Sequence, residues 1–355
     1  MSYLKHIEEW LKNNSYTLDD FSNLNKLEEL KKNLNYKVSV VIPTLEEEDT
    51  IENVINYLIR KLVIQNKIID EIVVIDGGAK DSTIDKILKL KENNPDEVKF
   101  FLQDDILPTI CKHKGKGEAL WKSLYVTEGD IIIYSDSDIK NFDERFVVGI
   151  LGPLLVNNDI KFVKGYYNRP LITSNESKSN EGGRVTELCA RPLLNVLYPE
   201  LSGFIQPLGG EYGGFREVLE KVEYTSGYGV EVQTLIEIYE KFGLGIMAQT
   251  NLIERIHRHQ PLNSLSKMSS AIMQTILKRK LSFNKLNSGI LIKNVDQENT
   301  FFTKSRSNSQ VHCNTGGEVF GNSNFKFANI NETTLPQMAN LKKEEVNDKP
   351  SESAN

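Results

Sequence analysis

Two aspartates separated by one serine, Asp136-Ser137-Asp138, are the most chemically pointed feature of the chain. They follow Ile131-Ile-Ile-Tyr134, a short apolar run bounded by polar residues, which suits a central strand with both faces covered. In an open α/β sheet, ligands bind just outside the carboxyl ends of such strands. A pair of carboxylates there is a hard-oxygen site for Mg²⁺ or Mn²⁺, metals that commonly bridge a diphosphate. The same triplet could also do no more than cap a following helix.

Other segments carry compatible chemistry. Val38–Ile42 reads as a first strand ended by Pro43, with Thr44-Leu-Glu-Glu-Glu48 after it. Ile72–Ile75 reads as a second, running into Asp76-Gly-Gly78. Glycines there permit close backbone approach, and an acid at a strand end suits a base or ribose. There is no GxGxxG and no GxxxxGK[ST], so neither a dinucleotide fingerprint nor a P-loop is present. Lys116, between Gly115 and Gly117 and just ahead of a helix, could present an ammonium to an anion, or be a solvated loop lysine. Gly182-Gly-Arg-Val-Thr186 places an arginine, a hydroxyl and free amides at a helix start, the makings of a phosphate or carboxylate site. Glu231 lies near the start of another helix. His257 and His259 fall on one side of an extended segment and become candidate metal ligands if they meet the aspartates.

The elements that must position these residues alternate strand with helix, which predicts βαβ units and a parallel sheet. Further strands are expected near 100–102, 161–169 and 245–252. Helices are expected over 84–90, 266–281 and 146–155, the last interrupted at Gly152-Pro153. The stretch from Leu201 to Arg216 is dense in glycine and polar residues and is not expected to form a simple core element. Residues 1–35 carry apolar residues at helical spacing and form an N-terminal helical extension. Residues 36–165 form one half of the main domain, 166–295 a second half, and 296–355 a polar tail of disordered composition. In a chain of 355 residues, the net charge of −6 argues against general nucleic-acid binding. Cys111, Cys189 and Cys313 lack metal-ligand spacing and read as free thiols of a reducing compartment. No apolar run approaches the length of a membrane span, and the N-terminus lacks a signal-peptide core. A cytoplasmic location is expected.

Taken in order, Val-Ile-Pro-Thr-Leu-Glu-Glu-Glu, Val-Ile-Asp-Gly-Gly, Gly-Lys-Gly-Glu-Ala-Leu-Trp, Ser-Asp-Ser-Asp-Ile, Gly-Gly-Arg-Val-Thr-Glu-Leu, Gln-Pro-Leu-Gly-Gly-Glu-Tyr and Gly-Tyr-Gly-Val-Glu closely resemble the glucosyl-3-phosphoglycerate synthases, retaining glycosyltransferases of the GT-A fold. The resemblance covers roughly residues 36–285. It implies an α/β fold with a mainly parallel sheet flanked by helices, and transfer of glucose from UDP-glucose to the 2-hydroxyl of 3-phosphoglycerate. It implies that Pro43, Thr44, Leu45, Glu47, Asp76, Gly78, Lys116 and Asp136 contact the donor. Asp138 and His257 would bind Mg²⁺ or Mn²⁺. Gly183, Arg184 and Thr186, with Asn263, would bind the acceptor. Asp136, Glu231 and a backbone carbonyl near Leu208 would act at the transferred sugar. A homodimer is implied as well. Two residues depart from the family pattern: Glu46 stands where Asn is usual, and Ala79-Lys80 where Ser-Thr is usual.

Three rival functions fit parts of the same pattern: transfer from GDP-mannose to the same acceptor, a polyprenyl-phosphate glycosyltransferase, and a catalytically idle nucleotide-sugar sensor. Gly182-Gly-Arg-Val-Thr186 and the lack of a membrane anchor weigh against the second. The complete set of Lys116, Asp136, Asp138, Arg184 and His257 weighs against the third.

Overall fold

A computed structural model describes residues 3–110, 113–172, 177–178, 182–257, 260–281, 289–294, 301–304, 325–330 and 332–341. Its centre is an eight-stranded sheet. In chain order the strands are β1 (Ser15–Thr17), β2 (Val38–Thr44), β3 (Glu71–Asp76), β4 (Val98–Leu102), β5 (Ile131–Tyr134), β6 (Phe162–Asn168), β7 (Tyr212–Phe215) and β8 (Met247–Glu254). They lie in the order β1-β8-β6-β7-β5-β2-β3-β4. All neighbours are parallel except β7, which runs antiparallel to both β5 and β6.

Side chains alternate across the sheet, as the pleat requires. Val41, Val73, Ile75, Ile132 and Tyr134 enter one hydrophobic core. Val40, Ile42, Val74, Ile131 and Ile133 enter the other. With both faces covered, β-branched runs are buried along their whole length, which explains why these strands are so readable in the sequence. Register sets the site. Pro43 pairs with Ile75 and Thr44 with Asp76, so the carboxyl ends of β2 and β3 finish together. Tyr134 pairs with Val41, so the Asp136-Ser-Asp138 turn emerges beside them.

Four expectations need correction. The N-terminal segment is not wholly helical, because Ser15–Thr17 joins the main sheet as its edge strand beside β8. Tyr212-Gly-Gly-Phe215 is a fully buried central strand, although its glycines argue against one. A β-carbon on Gly213 would sit 2.6 Å from the Ile132 carbonyl, so close backbone contact, not flexibility, requires glycine there. The helix Arg145–Val156 runs unbroken through Pro153, and a β-carbon on Gly152 would collide with the Phe21 ring. The tail expected over 296–355 falls mostly outside the described residues, but 301–304 and 325–330 have strand backbone and 332–341 dock on the main body. Leu335 and Met338 are buried there, too few apolar residues to reveal a period in a polar run. Ser177–Lys178 pairs antiparallel with Leu171–Ile172. His259, Cys111 and Cys313 lie outside the described residues.

Candidate active site

A cavity of about 580 Å³ opens at the carboxyl ends of β2, β3 and β5. Pro43, Thr44, Leu45 and Glu47 form one wall. Lys116, Asp136, Ser137 and Asp138 line it too, as do Gly227 and Tyr228. The Ser137 hydroxyl donates to the Pro43 carbonyl at 3.0 Å, tying the aspartate turn to the first wall. Glu46 sits at φ +59°, a left-handed backbone that asparagine tolerates far better than glutamate. The departure from the family residue at this position therefore carries strain.

Asp76 takes another role than a cavity wall. It is fully buried, and its carboxylate accepts from the Thr44 hydroxyl and from the amides of Gly78 and Ala79, each at 2.7 Å. It shapes the loop, and the residue that faces the cavity is Gly77.

The glycines around Lys116 are packing devices. A β-carbon on Gly115 would lie 2.6 Å from the Ser226 carbonyl, and one on Gly117 would overlap the Thr225 carbonyl. The helix Lys116–Val126 thus starts against the 225–226 backbone and projects Lys116 from its first turn. Its ammonium lies 2.6 Å from Asp136 and 2.6 Å from Glu231. Burial disfavours the charged amine, yet the two carboxylates outweigh it and raise the Lys116 pKa. Glu231 comes from the first turn of the helix Val230–Phe242.

Sequence reasoning missed the residue that binds this site together. The Arg255 guanidinium, 3% exposed, lies 2.8 Å from Asp136, 2.6 Å from Asp138 and 3.1 Å from Glu211, and it donates to the Tyr167 hydroxyl at 3.0 Å. Burial would raise the Asp136 carboxyl, but Lys116 and Arg255 together hold it well below the usual carboxylate range. A usable signal was present: Arg255 precedes His257 by two residues in an extended segment, so both project to one side. The Lys140 amide donates to the Ile256 carbonyl and the Ile256 amide to Asn141, which brings the segment carrying His257 beside the Asp138 turn.

Lys164 was also missed. It is 1% exposed, and its ammonium donates to the Gly209 carbonyl at 2.7 Å, one residue after Leu208. Burial pushes its pKa down to about 7. Between there and the ordinary lysine value near ~10.4, the unfolded chain holds a proton that the folded chain has released, so stability rises with pH. The rise has a ceiling of about 1.4 kcal/mol per pH unit for one proton. Urea midpoints at pH 7.5 and pH 9 are expected to show it, and the slope should be smaller in Lys164→Met.

The predicted acceptor residues form a separate group, none of them lining the cavity. Gly183, at φ +71°, leads into a helical turn that begins at Arg184. Thr186 is buried, and Arg184 donates to the Gln260 carbonyl at 3.1 Å, three residues before Asn263. Leu208 packs against the core, and Gly210 lies against the Asp136 carboxylate. Among the described residues, no three His, Cys, Asp or Glu side chains are grouped as a metal cage.

Residues 39–162 match the family model described as Glycosyl transferase family 2. A glucosyl-3-phosphoglycerate synthase of Petrotoga mobilis is 46% identical over 273 residues, which is 77% of this chain and 82% of the relative. This chain belongs to the glucosyl-3-phosphoglycerate synthase family. The family is one of glycosyltransferases, and the GT-A-like sheet and helices described above are its fold. The crystal structure of the Mycobacterium tuberculosis glucosyl-3-phosphoglycerate synthase in complex with Mn²⁺, uridine-diphosphate-glucose and phosphoglyceric acid superposes with a TM-score of 0.69 at 34% identity, covering 89% of this chain and 94% of that one. The mannosyl-3-phosphoglycerate synthase of Rubrobacter xylanophilus superposes with a TM-score of 0.77 at 30% identity, covering 95% and 100%. One fold thus occurs under both names, and the curated relatives at 42–46% identity are glucosyl-3-phosphoglycerate synthases. Among the described residues no helix is long and apolar enough to cross a membrane.

Proposed function

We propose that the protein transfers glucose from UDP-glucose to the 2-hydroxyl of 3-phosphoglycerate with retention of configuration. The observation that carries this reading is the Lys116 ammonium bridging Asp136 and Glu231 at the cavity, with Arg255 pinning Asp136 from the other side. Pro43, Thr44, Leu45 and Glu47 would hold the nucleoside, with Asp76 and Gly78 shaping the loop beside it. Lys116 faces the diphosphate end, and Asp136 and Glu231 face sugar hydroxyls. Gly183, Arg184, Thr186 and Asn263 receive the phosphorylated acceptor, an arginine pocket suited to a small anion within an acidic protein. A divalent metal fits at Asp138 and His257. One oxygen of Asp138 is held by Arg255, which leaves a second for a cation, and a carboxylate with an imidazole suits Mn²⁺ or Mg²⁺. When bound, the metal neutralises the leaving diphosphate.

Both carboxylates nearest the sugar position are paired to cations, and Asp136 is held strongly ionised, so each is a blunted nucleophile. That favours front-face transfer, in which the departing phosphate oxygen takes the proton of the acceptor hydroxyl and the Leu208 carbonyl faces the developing cation. The residues then contribute position and electrostatics.

The decisive assay follows nucleoside diphosphate release from UDP-glucose or GDP-mannose with 3-phosphoglycerate and Mg²⁺ or Mn²⁺. Release with neither donor sinks the reading, and faster release from GDP-mannose replaces the donor. Arg184→Ala is expected to raise KM for 3-phosphoglycerate by about tenfold or more, roughly one charge-assisted contact, while KM for the donor changes little. Steady-state kinetics in both substrates checks it, and equal effects on the two would remove Arg184 from the acceptor pocket.

We further propose a homodimer through the helical part of the second half, where Leu188 and Val196 are 80% and 78% exposed. A cytoplasmic location agrees with Cys189, a free buried thiol.

A further inference from the structure

The segment 332–341 crosses back to the active site, far in sequence from every residue that lines the cavity. Thr334–Leu335 pairs antiparallel with Tyr224–Thr225. The Ser226 amide donates to the Thr333 carbonyl at 2.9 Å, and Trp121 donates to the Pro336 carbonyl at 2.7 Å. Leu335 and Met338 are buried against the main body. At the head of this strap stands Glu332, 6% exposed. Its carboxylate accepts from the amides of Gly227 at 3.1 Å and Tyr228 at 3.0 Å, and also from Gly229.

Those amides belong to the turn that starts the helix Val230–Phe242. Gly227 and Tyr228 precede the N-cap Gly229, so their amides lie outside the helix ladder, and an anion at this end of the helix is favoured by its dipole. The contact is close: a β-carbon on Gly227 would sit 2.6 Å from a Glu332 oxygen and would push that carboxylate aside. The same turn does two things in the site: Gly227 and Tyr228 line the cavity, and Glu231 follows in the first turn of the helix, in contact with Lys116. On its other side the turn is packed against Gly115 and Gly117. It is therefore clamped between the lysine loop and the strap.

We propose that Glu332 is a positioning residue for the donor pocket: by capping the 227–229 amides it fixes the cavity wall at Tyr228 and the aim of Glu231. The consequence for turnover rests on the donor assignment above, whereas the hold on the turn does not. In full-length protein, Glu332→Ala is expected to raise KM for UDP-glucose by about tenfold, the loss of one to two buried hydrogen bonds, and to leave KM for 3-phosphoglycerate within about twofold. Hydrogen exchange at the 227–229 amides should accelerate by about tenfold or more. Glu332→Gln keeps the shape but offers one acceptor oxygen in place of two, so it is expected to recover only part of the donor KM. This variant also serves should Glu332→Ala fold poorly. Unchanged exchange at 227–229 in these variants overturns the proposal, as does an equal rise in both KM values or full recovery by Glu332→Gln. A wild-type protein inert toward both donors, with exchange at 227–229 still dependent on Glu332, sinks the transferase reading and supports the strap's hold on the turn.

Discussion

Arg255→Met will lower both stability and turnover more than any other single change at a residue outside the cavity wall. The guanidinium is almost wholly buried and touches Asp136, Asp138 and Glu211. A methionine of similar length fills the space but leaves three carboxylates facing one another without the cation that joins them. Removing one partner from a buried ion pair costs about 3–5 kcal/mol, a large share of the roughly 5–15 kcal/mol that holds a typical domain folded. The carboxylates escape part of that cost by taking up protons. Asp136 is held below the usual range by Lys116 and Arg255 against burial, so in the wild type its ionisation contributes stability above the ordinary aspartate pKa, lost as the pH falls. Without Arg255, burial raises these carboxylates, so the folded variant takes up protons that its unfolded chain does not and regains part of the loss at low pH. Thermal midpoints should fall below wild type at both pH 5 and pH 7.5, and further at pH 7.5. Turnover should drop by about 10²–10³-fold, the size seen when one fixed electrostatic partner is removed from a site. Arg255→Lys keeps the charge but not the fork, and a single ammonium cannot serve three carboxylates at these separations. It is expected to restore more stability than activity. A variant with wild-type kinetics would mean that the aspartate pair needs no guanidinium to hold its geometry.

What could be read from the sequence, and what could not, divides by range. The strands β2, β3 and β5 announce themselves because burial on both faces leaves only apolar, β-branched residues. The loops at their carboxyl ends follow at once, so Pro43–Glu47, Lys116 and the Asp136-Ser-Asp138 turn were found by local pattern and do meet at one cavity. Glu231 meets Lys116 across a sequence separation of 115, yet its helix start was locally visible. Arg255 and Lys164 left weaker traces. A buried cation is recognisable only from its partners, and those come from β6, β7 and the β5 turn. β7 itself was hidden, since Gly213 and Gly214 signal turns in isolation and here meet the need for close strand contact. The strap at Glu332 was least legible, being one carboxylate in a polar run whose meaning lies in three amides a hundred residues away.

Gly210→Ala should inactivate the protein with little loss of fold, and it tests how rigidly the Asp136 carboxylate is held. A β-carbon at this position would fall inside the van der Waals shell of the Asp136 carboxyl group. A flexible side chain would swing away at little cost. Asp136 cannot, because Lys116 at 2.6 Å and Arg255 at 2.8 Å fix both its oxygens. The backbone has little room either, since Lys164 holds the Gly209 carbonyl next door and the Gly165 amide donates to the Glu211 carbonyl at 2.8 Å. The methyl group must therefore displace the carboxylate, the loop after Leu208, or both, the two groups proposed above to face the transferred sugar. A shift of about 1 Å in a positioned group costs on the order of 10²-fold in rate. The expected result is a fall of that size in kcat, with KM for 3-phosphoglycerate nearly unchanged and a thermal midpoint within a few degrees of wild type. Adding Asp136→Ala to Gly210→Ala makes room for the methyl group without restoring the carboxylate, so the double variant should be no more active than Asp136→Ala alone. A Gly210→Ala protein with full kcat would show that the Lys116–Asp136–Arg255 chain yields easily, and front-face transfer could then not rest on a fixed Asp136.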